Sequence, residues 1–374
     1  MRIALLVLAS LLAMTGCATK PLTCIPITKL TTPYNFEPSA AVHTVEWDKA
    51  MLGYGDTLYK HNVRQIFFVH GTFMGSDPFG IDKLVEITGL HNPTKAIMDS
   101  ITDDMANFSK NYVETFCNAI SNRLCSEHER FTWRSGNTHE DRLDGAIKLA
   151  DELAKSIKVG KVKTNQTILL LGHSHAGQLF ALLSHFLEGG EMANKLYKFV
   201  NIHYGTEREV QLKSDIDSIK SVNLDFVTYG TPVRYSWGKY KRFRLLPIIN
   251  HRSNSRIDGL LSIRDGDYVQ QWGVDGSDIF TIQLPPIENE LSQILNSRGD
   301  LLAFPESLKI ESRSVPKYAD CSVVHEDVLV DYKDNLGFPN IIESSAWIFG
   351  HGVYTTKEKM LFNTGMIVQN WYSP

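Results

Sequence analysis

Thr167-Ile168-Leu169-Leu170-Leu171-Gly172-His173-Ser174-His175-Ala176-Gly177 is the stretch from which the fold is read. Thr167 to Leu171 is a short apolar run of the kind buried on both faces of a parallel sheet. Ala176 to Leu187 then repeats apolar residues at helical spacing. Ser174 therefore falls on a tight strand-to-helix turn, where a side chain is pushed out at the carboxyl edge of the sheet. A turn that tight brings backbones together and needs small residues two positions either side. Gly172 and Ala176 meet that need. The start of the helix beneath the serine would add backbone donors and a dipole favourable to developing negative charge. Ser174 is the candidate nucleophile.

Further strands and helices alternate on either side of this turn. Gln65 to Val69 is an apolar run ending at His70-Gly71-Thr72-Phe73. Arg130 to Trp133, Leu224 to Tyr229, Leu260 to Ile263 and Val328 to Tyr332 are strand candidates, and Arg142 to Ile157 has a clear helical pattern. Apolar strands separated by helices imply a mostly parallel central sheet with helices on both faces, an α/β fold. Two stretches exceed ordinary connection lengths. One, about 74–129, contains a helical run from Ile97 to Leu124 and reads as a cap-like insertion. The other spans about 275–320.

On the serine turn and the His70-Gly71 turn, the chain resembles the α/β-hydrolase superfamily, in particular its bacterial lipase and esterase branches. Trp133-Arg134-Ser135-Gly136-Asn137 stands where relatives carry a Trp-Ser-Gly turn. Tyr229-Gly230-Thr231-Pro232 is similar to their Gly-Ser/Thr-Pro turn. The resemblance implies an α/β-hydrolase fold and a triad in chain order serine, acid, histidine. It also implies an oxyanion site built from the amide of His175 and one from the earlier loop, Thr72 first and Phe73 second. Tyr229 to Gly238 holds no carboxylate, so the acid falls to the next candidate loop, Asp265-Gly266-Asp267-Tyr268-Val269. Relatives place the acid as Gly-Asp followed two residues later by Val. That pattern selects Asp267 and leaves Asp265 as the alternative. For the histidine, His173 and His175 flank the serine and cannot easily fold back onto it, while His43, His61, His91, His128 and His139 precede it. His351 follows the strand at Val328 between two glycines and is the choice over His325.

The activity so implied is hydrolysis of a small-molecule or lipid carboxylic ester through an acyl-enzyme on Ser174, with no cofactor and no metal. Thioester or amide cleavage, acyl transfer, and a non-catalytic binding scaffold are the alternatives. A metal reading of His70, His173 and His175 lacks a carboxylate at ligand spacing.

Composition bounds the remainder. The 374 residues are 43% apolar and 21% charged, with a net charge of −4 that argues against a nucleic-acid groove. Lys239, Lys241, Arg242 and Arg244 form the only dense basic run and read as solvated loop surface. At the N-terminus, Arg2 precedes an apolar core from Ile3 to Met14 that is too short to span a bilayer. Met14-Thr15-Gly16-Cys17 resembles the bacterial lipobox. That resemblance implies a signal peptide over 1–16, acylation of Cys17, and an exported protein anchored by lipid to the bacterial membrane. Ala18, in place of an Asp, favours the outer membrane. Pro21, Pro26, Pro33 and Pro38 then mark a tether over 17–40, leaving 41–374 as the hydrolase-like domain. An exported chain permits disulfides. Cys117 and Cys125 would lie about 12 Å apart on a continuous helix, so they can pair only if the helix breaks between them.

Overall fold

The computed structural model describes residues 34–71, 108–121, 123–125, 127–136, 138–231, 235–250, 267, 286–295, 328–332 and 351–373. Seven parallel strands form one sheet: β1 (Tyr34–Asn35), β2 (Val63–Val69), β3 (Arg130–Phe131), β4 (Thr167–His173), β5 (Asn223–Tyr229), β6 (Phe243–Asn250) and β7 (Val328–Asp331). Their spatial order is β1-β7-β6-β5-β4-β2-β3. Eight α-helices are described: α1 (Val45–Lys60), α2 (Lys110–Ile120), α3 (His139–Lys158), α4 (Ala176–Glu188), α5 (Glu191–Tyr204), α6 (Thr206–Ile219), α7 (Pro286–Ile294) and α8 (Lys357–Trp371).

The two-residue period of the strands divides the apolar side chains between two cores. Phe67 and Val69 of β2, Ile168 and Leu170 of β4, and Leu224 and Phe226 of β5 enter one core, with α3, α4, α5 and α6. Their neighbours Ile66, Phe68, Leu169, Leu171, Val227 and Tyr229 enter the other, with α1, α2 and α8. A strand with a core on each face has no polar side, which is why β4 is apolar from Ile168 to Leu171. Helix α4 is buried at every residue but Glu188, because it is wedged among β4, β5, α3 and α5.

Caps fix several helix starts. Thr44, Ser109 and Thr138 each accept an amide of the first turn with their side-chain oxygen. At α3 the insertion adds a second cap: Glu288 of α7 accepts the amides of His139 and Glu140 at 2.9 and 2.8 Å. Burial raises its carboxyl above the usual range. Within the insertion expected to be helical from Ile97 to Leu124, the described helix is α2. It stops at Ile120, and Ser121 takes φ +126°. That break brings the Cα atoms of Cys117 and Cys125 to 5.4 Å, and the two form a disulfide.

The basic run differs from its expectation. Lys239 and Lys241 are exposed, but Phe243 and Arg244 open β6, and the Arg244 guanidinium pairs through two nitrogens with the buried carboxylate of Asp225 on β5. The strand expected at Leu260 to Ile263 lies outside the described residues. Among those described, no helix is long and apolar enough to cross a membrane.

The strand order reverses at one place. From β2 the chain reaches β3 on one side and then crosses back to β4 on the other, after which it continues to β5, β6 and β7. A crevice opens at the carboxyl ends of the two strands flanking such a reversal. Val69 pairs with Gly172 there, so the loops after β2 and β4 leave the sheet side by side.

Candidate active site

Ser174 sits on the turn between β4 and α4 with φ +56°, in the left-handed region, at a cost of roughly 1–2 kcal/mol for a residue with a side chain. Three hydrogen bonds hold it there. Its amide donates to the Tyr229 carbonyl at 2.9 Å, and its carbonyl accepts from the Gly177 amide at 3.2 Å and the Thr231 hydroxyl at 2.8 Å. The close approaches expected of the turn are present. A Cβ on Gly172 would meet Ala176 Cβ at 3.1 Å, and one on Gly71 would meet Ser174 Cβ at 2.5 Å and Oγ at 3.2 Å. Only glycine lets the loop after β2 pass this near the serine. The N-cap residue of α4, His175, makes no capping hydrogen bond with its side chain, and the positive end of the helix backbone lies at the same turn.

The loop after β2 is pinned from β3. Trp133 donates its indole N–H to the His70 carbonyl at 2.8 Å and its amide to His70 Nε2 at 3.3 Å. His70 Nε2 is thus an acceptor, which makes Nδ1 the donor to the Gly71 carbonyl at 2.7 Å. Burial lowers the imidazole to a pKa of about 4, so it is neutral near pH 7. Both of its nitrogens are engaged in holding backbone. Thr72 and Phe73, the expected oxyanion donors of this loop, lie outside the described residues.

Asp267 and His351 meet beside Ser174's supporting strand. Asp267 is anchored through its amide to the carbonyl of Asn250, the last residue of β6, at 3.1 Å. Its Oδ2 accepts from His351 Nδ1 at 2.8 Å, and both side chains are buried. Nδ1 being the donor, Nε2 carries the lone pair. It is buried and has no hydrogen-bond partner among the described residues. Gly230, at φ +57°, makes room for this pair, since a Cβ there would meet His351 Nδ1 at 3.1 Å and would overlap Asp267 and Tyr354. Of the alternatives, Asp265 and His325 lie outside the described residues, as do Gly266 and Val269. The lipidation candidate Cys17 does too.

His173 connects the serine turn to the histidine. It is the last residue of β4, and its Nε2 is 2.9 Å from the backbone carbonyl of His351, with the two rings 4.7 Å apart. As the carbonyl can only accept, Nε2 donates. Burial, and then the nearby His351, lower the His173 pKa well below the ordinary histidine value. A neutral His173 matters here, because a charge so close would oppose formation of an imidazolium on His351.

Sequence reasoning named Ser174, Asp267 and His351 as candidates but assigned no role to His173 or Tyr354. The Tyr354 hydroxyl donates to Asp267 Oδ2 at 2.9 Å and accepts the Asn250 amide at 2.8 Å. The available signal was its place three residues after His351. His175, buried at the start of α4, stays a candidate through its amide. No protein family, no curated protein and no solved structure matches this chain.

Proposed function

We propose that the protein is a serine hydrolase of the α/β-hydrolase type, cleaving carboxylic esters through Ser174, Asp267 and His351. The observation that carries the reading is the buried carboxylate–imidazole pair at 2.8 Å, with its other ring nitrogen unpartnered among the described residues, in the corner where a serine turns at positive φ. The order of the sheet supports it as well. Serine, acid and histidine follow three strands, β4, β6 and β7, whose carboxyl ends lie along one edge.

In this reading His351 Nε2 takes the proton of the Ser174 hydroxyl as the oxygen attacks the ester carbonyl. Asp267 holds the Nδ1–H tautomer and stabilises the imidazolium that forms. The carbonyl oxygen becomes an oxyanion at the positive end of α4, with the His175 amide as one donor and Thr72 or Phe73 supplying the other. His351 returns the proton to the departing alcohol, and water then cleaves the acyl-enzyme by the same steps. The lipobox-like Met14 to Cys17 supports an exported, acylated enzyme acting at a membrane on small or lipid esters.

Labelling with a fluorophosphonate probe tests the reading. The wild type should be modified on Ser174, Ser174→Ala should not react, and Asp267→Asn should label about 10⁴ times more slowly. A folded wild type that stays unlabelled would remove the reading.

A further inference from the structure

Tyr354 closes a ring of hydrogen bonds around the acid. Asn250, at the end of β6, takes the Asp267 amide on its carbonyl at 3.1 Å and gives its own amide to the Tyr354 hydroxyl at 2.8 Å. With its oxygen so engaged, the hydroxyl directs its proton to Asp267 Oδ2 at 2.9 Å. That is the same oxygen that receives His351 Nδ1–H at 2.8 Å. The phenol is also covalently close to the histidine, on the short 3-10 turn Gly352–Thr355 that starts at His351. Asn363 of α8 holds the Tyr354 carbonyl at 2.9 Å and is itself held by the Tyr332 hydroxyl at 2.6 Å.

From this geometry we infer that Tyr354 is a positioning residue: its hydroxyl fixes the rotation of the Asp267 carboxylate and tempers how strongly that carboxylate holds a proton on His351. The inference rests on the proposed triad. Two donors on one carboxylate oxygen share its charge, so removing the phenol makes that oxygen a stronger acceptor for His351. The described titratable groups around the ring are Asp267 and His351, His173 from β4, Tyr229 from β5, and Tyr332 just beyond β7. Burial first, and then the charge of Asp267, keep the phenol protonated well above the ordinary tyrosine range. Tyr354 therefore stays a donor throughout the working range of the histidine.

The test compares Tyr354→Phe with Tyr332→Phe, which removes a hydroxyl of the same network two steps farther from the acid. In Tyr354→Phe the titration midpoint of His351, followed by NMR, should rise by about half a unit. The rate of fluorophosphonate labelling should fall about tenfold, with KM for a short-chain ester unchanged. Tyr332→Phe should match the wild type in all three. In the unmodified protein the hydroxyl proton of Tyr354 should exchange slowly and show a nuclear Overhauser contact with the Nδ1 proton of His351. An unchanged His351 midpoint in Tyr354→Phe, equal effects of the two variants, or absence of that contact would each overturn the inference while a labelled Ser174 kept the hydrolase reading intact. A wild type that does not label would remove the hydrolase reading, and the NMR arms would still decide whether Tyr354 sets the Asp267–His351 pair.

Discussion

His70 makes folding stability depend on pH in a way that can be isolated. The side chain is fully buried, and its pKa is lowered from 6.5 to about 4. Between those values the unfolded chain binds the proton and the folded chain does not, so stability rises with pH across the window. The contribution is fully present above 6.5 and is lost as the pH falls toward 4. Integrating the two titrations gives a loss of about 2 kcal/mol between pH 7 and pH 5. His70→Gln keeps an acceptor for the Trp133 amide and a donor for the Gly71 carbonyl, and it does not titrate. Urea unfolding at the two pH values, at fixed salt, should show the wild type losing about 2 kcal/mol more than the variant. His173, also lowered, is common to both proteins and cancels in the comparison. Equal losses would mean that the His70 ring meets water or a proton donor in the folded state, contrary to its burial and bonding.

The backbone at Ser174, the proposed nucleophile, predicts a difference in stability between two substitutions. Ser174→Gly should be more stable than Ser174→Ala by about 1 kcal/mol, because only glycine is unstrained at φ +56° and part of that gain is offset by glycine's freedom in the unfolded chain; thermal unfolding of the two variants measures the difference, and equal midpoints would refute the strain. The disulfide closes a separation of 8 residues, and the chain-entropy relation assigns such a loop about 2.5 kcal/mol. The double variant Cys117→Ser, Cys125→Ser should lose about that much in urea unfolding, whereas an unchanged wild type under reducing conditions would show that the bond adds nothing.

The elements that were legible in the sequence are those whose patterns have one physical explanation. The run Thr167 to Leu171 can only be a strand buried on both faces, and β4 contains it. The periodic stretch Arg142 to Ile157 falls inside α3. Strand β6 was not legible because it opens in the basic, aromatic run and carries Pro247, which pairs opposite Thr228. What permits Arg244 to enter the sheet is Asp225, 19 residues earlier on the neighbouring strand, and no local pattern announces such a pair. Helix α1 was also missed. It carries Gly53 and Gly55, which weaken a helical reading, yet Gly55 is there because a Cβ would overlap the backbone of Ile120 on α2.

The site divides along the same line. Ser174 was legible because its turn imposes local demands, small residues before and after it, that leave a mark in the sequence. The residues that tie the site together leave no such mark, since they act across long separations. His173 reaches the carbonyl of His351 over 178 residues, Tyr354 reaches Asp267 over 87, and Trp133 reaches His70 over 63. Each belongs to a different strand or loop of one sheet edge, and each is neutral and buried. Neutral supports are what a buried acid–base pair requires. In the proposed chemistry the pair gains and loses a positive charge on His351, and a second charge nearby would oppose that cycle. Burial of His70, His173 and Tyr354 thus serves the proposed chemistry as well as the packing: it keeps the groups that hold the site neutral.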